Sequence, residues 1–179
     1  GKNLITPENS KTSLGITYTV GDDFGVSCSG TAQNIVGFYY PAQDWDNALI
    51  LKPGTYTASV FGIVEGAMTF VGWSREYPDS KSAQLFSIPS DSQTATFTID
   101  EPVLAILQFN INSGNSVSTT VYAQLELGST ATAYEPPNVT TTPIDLDGNT
   151  LCSLPDGTHD ELTIDATGAV TLVKRVGVA

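Results

Sequence analysis

The stretch VSTTVYAQLELGSTATAYEPP, residues 117–137, decides how the chain is read. From its start to Leu127 one set of positions is Val117, Thr119, Val121, Ala123, Leu125 and Leu127. The positions between them are Ser118, Thr120, Tyr122, Gln124 and Glu126. Side chains on a pleated strand alternate between its two faces, so this pattern predicts a long strand with one apolar and one polar face. The longest segment free of Gly and Pro, 115–127, carries this period of two, which leaves no place for a helix of normal length. The chain reads as all-β.

Working outward, the same alternation recurs at short intervals. Leu14, Ile16, Tyr18 and Val20 form one face, and after Gly21-Asp22-Asp23 the pattern resumes with Phe24, Val26 and Cys28, which predicts a hairpin with a short loop. Pro53-Gly54 opens a strand with Tyr56, Ala58 and Val60 on one side, and Ala95, Phe97 and Ile99 alternate with threonines. Val103 to Ile111 is apolar on both faces through Leu104, Ile106 and Leu107, as in a central, fully covered strand. About eight strands without helices make an antiparallel two-sheet β-sandwich of the jelly-roll kind the default architecture. Residues 1–137 are read as this domain, 138–143 as a polar linker stiffened by Pro136-Pro137, and 144–179 as a small β hairpin or meander segment. Such short strands bury little core alone, so this last segment needs a partner: the first domain, a second copy, or the rest of a longer parent protein.

Composition narrows the function. The 179 residues carry a formal charge of −12, with 40% hydrophobic and 15% charged residues. Seven scattered Lys and Arg residues offer no row of cations for phosphates, so nucleic acid is not an expected partner. No apolar run approaches the ~18 residues of a membrane helix, and membrane insertion is not expected. Cys28 and Cys152 match no metal spacing; Cys28 sits in an apolar alternation and reads as a buried free thiol, which fits folding in a reducing cytoplasm.

Catalytic patterns are missing. The single histidine, His159, lies beside a turn, and Gly25-Val-Ser-Cys-Ser-Gly30 has the wrong spacing for a nucleophile elbow. Asp145-Leu-Asp147-Gly-Asn149 partly matches a calcium loop, but Asp156 stands where the loop needs Glu, and a tight hairpin explains it better. Most carboxylates flank turns, where solvation and turn chemistry account for them. A glycan-degrading enzyme using two carboxylates is therefore the third reading, and no catalytic residue is assigned.

The informative residues are aromatics outside the alternation. Tyr39 and Tyr40 precede Pro41, Trp45 sits among Asp44, Asp46 and Asn47, and Trp73 is followed by Arg75 and Tyr77. Exposed rings next to Asp, Asn and Arg suit sugar binding, because the C–H face of a pyranose stacks on a ring while fixed polar groups bond its hydroxyls. Trp45, Trp73, Tyr39, Tyr40 and Tyr77 are the candidate stacking residues, with Asp44, Asp46, Asn47 and Arg75 as polar partners. The competing explanation for either Trp is that it caps one end of the core.

Several segments taken in order support a resemblance: Asn3-Leu4-Ile5, Thr17 to Val20 with Ser29-Gly30-Thr31-Ala32 after it, Leu51-Lys-Pro-Gly54-Thr-Tyr-Thr57, Ala95-Thr-Phe-Thr98, and Val121 to Pro136. Together these resemble the carbohydrate-binding-module-like jelly rolls of phage and prophage tail proteins, found in tail fibres, baseplates and receptor-binding proteins. The resemblance covers residues 3–137 and implies that the Asn3 segment lies near the 124–127 strand. It also implies a virion-tail location, with bacterial surface glycan and other tail subunits as partners and a homo-oligomer in the parent assembly. No cofactor is expected beyond a structural calcium of the kind some such modules carry, for which Glu126 is a weak candidate ligand, since alternation already explains its position. The expected function is noncatalytic glycan recognition, with the loops at 38–47 and 66–89 setting specificity; the alternative is an assembly module that touches only protein.

Overall fold

The computed structural model describes residues 3–75 and 82–137, together with the backbone of Glu161–Ile164 and Val170–Val173. The chain divides into two compact units, Gly1–Asn138 and Val139–Ala179. The first is an antiparallel β-sandwich. Its six-stranded sheet has the order β1 (Lys11–Ser13), β2 (Ile16–Val20), β3 (Val26–Thr31), β11 (Ser116–Leu127), β6 (Gly54–Phe61), β9 (Thr94–Ile99). The five-stranded sheet has the order β4 (Val36–Tyr40), β10 (Val103–Ile111), β7 (Met68–Arg75), β8 (Ser82–Ile88), with β5 (Leu49–Leu51) beside the start of β10. The route passes from one sheet to the other between β3 and β4, β5 and β6, β6 and β7, and again at β8–β9, β9–β10 and β10–β11. That shuttling is the route of a jelly roll.

Alternation builds the core as the sequence predicts. Tyr56, Ala58 and Val60 of β6 face inward, as do Phe97 and Ile99 of β9 and Val117, Val121, Ala123 and Leu125 of β11. Opposite them lie Val36, Phe38 and Tyr40 of β4 and Ala105, Leu107, Phe109 and Ile111 of β10. Phe38 is the hub of an aromatic cluster, 5.1 Å from Tyr18, 5.6 Å from Phe109 and 5.9 Å from Tyr40 between ring centroids. At the other side of the core Phe86 touches both Phe70 and Phe97. Gly72 makes room for it, because a Cβ there would stand 2.3 Å from the Phe86 ring. Cys28 is a buried free thiol, pushed up to about 11 by that burial.

Several local readings change. Leu14 is not a strand residue: Leu14 and Gly15 both have positive φ, 45° and 85°, and form the two-residue turn between β1 and β2, leaving Leu14 exposed. Paired positive φ values are those of a type I′ hairpin, whose twist matches its strands. Leu127 ends the apolar row of β11 yet is 69% exposed, while Gln124 and Glu126 of the supposed polar face are buried. The cause is the chain after Gly128, which folds back over them. The Glu126 carboxylate accepts from the Thr132 backbone N–H at 3.0 Å and from the Thr132 hydroxyl, and the Gln124 amide oxygen accepts from Glu135 N–H at 2.8 Å. Buried polar side chains persist where such partners exist. The Tyr134 phenol fastens this return to the β2–β3 loop by donating to Asp23 O (2.8 Å), and the Tyr122 phenol of β11 donates to Asp23 Oδ2 (2.9 Å).

The segment before β1 joins the two sheets. Leu4 N–H donates to Leu125 O at 2.9 Å, and the buried Asn3 amide donates to Ala123 O while accepting from Leu125 N–H. Further along, Glu8 N–H donates to Tyr39 O, and its carboxylate accepts from Tyr39 N–H. The Asn3 segment thus lies beside the 123–125 part of β11 and then crosses to the edge of β4.

In the second unit, β12 (Glu161–Ile164) and β13 (Val170–Val173) pair antiparallel in the register Glu161↔Val173. The sequence readings at Ile144–Leu154, Asp156 and His159 lie outside the described residues.

Candidate functional site

The outward face of the five-stranded sheet gathers most of the candidate residues. On β10 the inward positions alternate with Leu104, Ile106, Gln108 and Asn110, and on β7 with Thr69, Val71, Trp73 and Arg75. Cross-strand register makes Trp73 a neighbour of Ile106, Val71 of Gln108, and Arg75 of Leu104. Beyond β10, Tyr39 pairs with Gln108 and Ile50 with Leu104. Ile106 and Val71 are buried without belonging to the core, so this face carries a cover of its own. The half-buried Trp73 pairs with Ile106, and the half-buried Trp45 belongs to a turn against β10.

Trp45 opens a short 3-10 turn, Trp45–Asn47, lying against β10. Asp44 caps it: its Oδ1 accepts from the Asn47 backbone N–H at 3.0 Å and from the Asn47 side-chain amide at 2.8 Å. This is the usual use of Asp at a helix start, and it commits Asp44 Oδ1 and the Asn47 amide N–H to the turn while both residues stay exposed. Their part is to hold the turn. Asp46 stays exposed. Arg75 reaches toward the turn, its guanidinium carbon 5.8 Å from the centroid of the Trp45 ring, a cation–π distance. Trp45, Arg75 and Trp73 therefore share one region of the sheet face.

Tyr39 sits on the same face but is engaged on several sides. Its ring lies against Gly37, the Lys11 ammonium stands 4.9 Å from its centroid, and burial followed by the Glu8 carboxylate raises its phenol above the ordinary value. From strand spacing it is roughly 12 Å from Trp73 between Cα atoms. Tyr40 is corrected outright. It faces the opposite way, is 1% exposed and packs edge-on against Phe38 and Phe70, so it cannot stack on a ligand. Tyr77 lies outside the described residues. The expectation of specificity loops at 38–47 and 66–89 is also revised, because 38–40 and most of 66–89 are strand and the aromatics stand on a sheet face.

The metal candidate, Glu126, has its carboxylate engaged by Thr132 under the returning chain. Among the described residues no group of three or more His, Cys, Asp or Glu side chains could hold a metal ion.

Gln84, Gln108 and Asn110 belong to this face and were not singled out from the sequence, and Ile106 was read only as part of a covered strand. Gln108 donates to Asn110 Oδ1 at 3.1 Å, so the two amides form a fixed polar row beside the apolar strip of Trp73, Ile106 and Val71. The available signal was Leu104 and Ile106. In a two-layer sandwich the core covers only one side of a strand, so apolar residues on the other side call for a second cover.

The sequence matches no protein-family profile, and no curated protein matches it.

Proposed function

We propose that this chain is a noncatalytic glycan-recognition module that binds bacterial surface carbohydrate on the outward face of the five-stranded sheet, as part of a phage or prophage tail protein. One observation carries the reading: two half-buried tryptophans and an arginine converge on a sheet face beside a row of ordered amides. An indole offers a flat apolar surface to a pyranose, and amides held by neighbouring bonds select its hydroxyls without a large ordering penalty. Binding on an open sheet face is shallow, so useful affinity comes from several copies in one assembly.

The test is binding of the multimerised protein to bacterial cell walls and purified glycans, with Trp45→Ala and Trp73→Ala alongside. The expected result is saturable binding competed by a soluble sugar and weakened tenfold or more by either substitution, with folding retained. Full binding by both variants would sink the reading.

A second reading, an assembly module that contacts only protein, is favoured by the second unit. Its described residues form two paired strands of four residues each, and such a pair is marginal alone in water. It predicts concentration-dependent oligomers that disappear when residues 138–179 are deleted.

A further inference from the structure

Resting on the glycan reading, we infer that the sugar bound at this face carries an anionic group, a carboxylate or a phosphate, held by Arg75.

The inference starts from how little positive charge the chain has and where it lies. Of the seven Lys and Arg residues, Lys11 is paired with Glu8 at the edge of β4 and Lys52 is exposed in the β5–β6 connection. Arg75 is the described cation that stands beside Trp45 and Trp73, and no described carboxylate is ion-paired with it. Asp44 and Asp46 flank Trp45 in sequence; Asp44 Oδ1 is engaged by Asn47, and Asp46 is an exposed residue of the same turn.

Its surroundings suit an anion. Arg75 pairs across the sheet with Leu104, which in turn pairs with Ile50, so its cross-strand neighbours on this face are apolar and not acidic. The guanidinium carbon stands 5.8 Å from the centroid of the Trp45 ring, and a cation–π contact of this kind consumes none of its N–H donors. A guanidinium edge matches two oxygens of a carboxylate or phosphate at once, and stacking on an aromatic does not use those donors. Trp73, two residues before Arg75 on the same face, would then receive the ring of the same sugar or its neighbour. A neutral sugar could use the tryptophans, but it gives no role to a cation held in this way on a protein of charge −12.

The experiment compares three glycans of one backbone: a uronic-acid polymer, its carboxyl-reduced neutral form, and a phosphodiester-linked counterpart. Each is titrated by calorimetry against the full chain and its Arg75→Gln and Arg75→Lys variants, with circular dichroism to confirm folding. At least one anionic form should bind tenfold or more tighter than the neutral form, and added salt should weaken it selectively. Arg75→Gln should bring that ratio toward one, and Arg75→Lys should preserve part of it, since a point charge replaces the fork. The uronate and phosphodiester arms identify which anion is meant. Equal binding of the neutral form, or a ratio that survives Arg75→Gln, overturns this inference while the glycan reading stands. Binding to none of the three, nor to any wall glycan, overturns both.

Discussion

Removing a hydroxyl from the aromatic core should make this protein more stable. Tyr18 and Tyr40 are each 1% exposed, and neither phenol has a hydrogen-bond partner. Burial raises both phenols, Tyr18 and Tyr40 alike, above the ordinary tyrosine value, so they stay neutral at any working pH. In the unfolded chain each hydroxyl is bonded to water, and folding strips that water without replacement at about 1–3 kcal/mol by mutational estimates. Tyr→Phe abolishes this penalty and keeps the ring contacts with Phe38 and Phe109. The small void left by the oxygen returns a few tenths of a kcal/mol by the cavity relation. Tyr40→Phe should therefore raise stability by about 1 kcal/mol, which for a domain of this size is a rise of roughly 3–4 °C in Tm. Urea unfolding followed by tryptophan fluorescence measures the shift, and an unchanged slope would show that only stability moved. Both tyrosines touch Phe38, so the double variant adds a second check. Independent unpaired hydroxyls give additive gains, whereas a water bridging them makes each single change destabilising and the pair strongly coupled. A loss of 1 kcal/mol or more in either single variant would refute the reasoning.

Other expectations follow from the same contacts. The Asp23 carboxylate is held below the usual range, first by the Gly25 N–H and then by the Tyr122 hydroxyl. A folded value below the unfolded one means that this contribution is present above the unfolded value of about 4 and is lost as pH falls through the lower folded value. In urea melts across pH, wild type should exceed Asp23→Asn at neutral pH, and the difference should vanish in acid; a constant difference would contradict it. Cys28, near 11, is about one part in a thousand thiolate at pH 8, so in a Cys152→Ser background it should resist a thiol reagent until urea unfolds the chain. Thr132→Val should lower stability by about 1–3 kcal/mol, because the buried Glu126 carboxylate loses its hydroxyl donor, while Thr130→Val at an exposed position should stay within about 0.5 kcal/mol in the same denaturation assay.

Strand positions were legible where burial follows local alternation. Tyr56, Ala58 and Val60 face the core because each strand has one covered side, a fact contained in the segment itself. Gln124 and Glu126 defeat the rule since what buries them is chain from 132 to 135 folding back, which no period within the strand reports. Trp73 was unreadable for another reason. Neither Met68, Phe70, Gly72 and Ser74 nor Thr69, Val71, Trp73 and Arg75 is a polar set, so alternation assigns no face. Tyr40 continues Val36 and Phe38 in period two, and that signal should have outweighed its place in an aromatic run before Pro41. The gathering of Trp45, Trp73 and Arg75 needed tertiary structure, because it joins a 3-10 turn to a strand across β10.

The bonds from Asn3 to Ala123 and Leu125, and those from Gln124 and Glu126 to the returning chain, lie on one short length of β11. Tension applied along a chain that arrives before Asn3 and leaves after Pro137 would enter and exit at almost the same place. The load would run through these few bonds and a short length of β11, leaving the other strands unloaded, so the sandwich would hang as a pendant. The outward face of its five-stranded sheet would stay folded while the polypeptide carrying it was pulled taut.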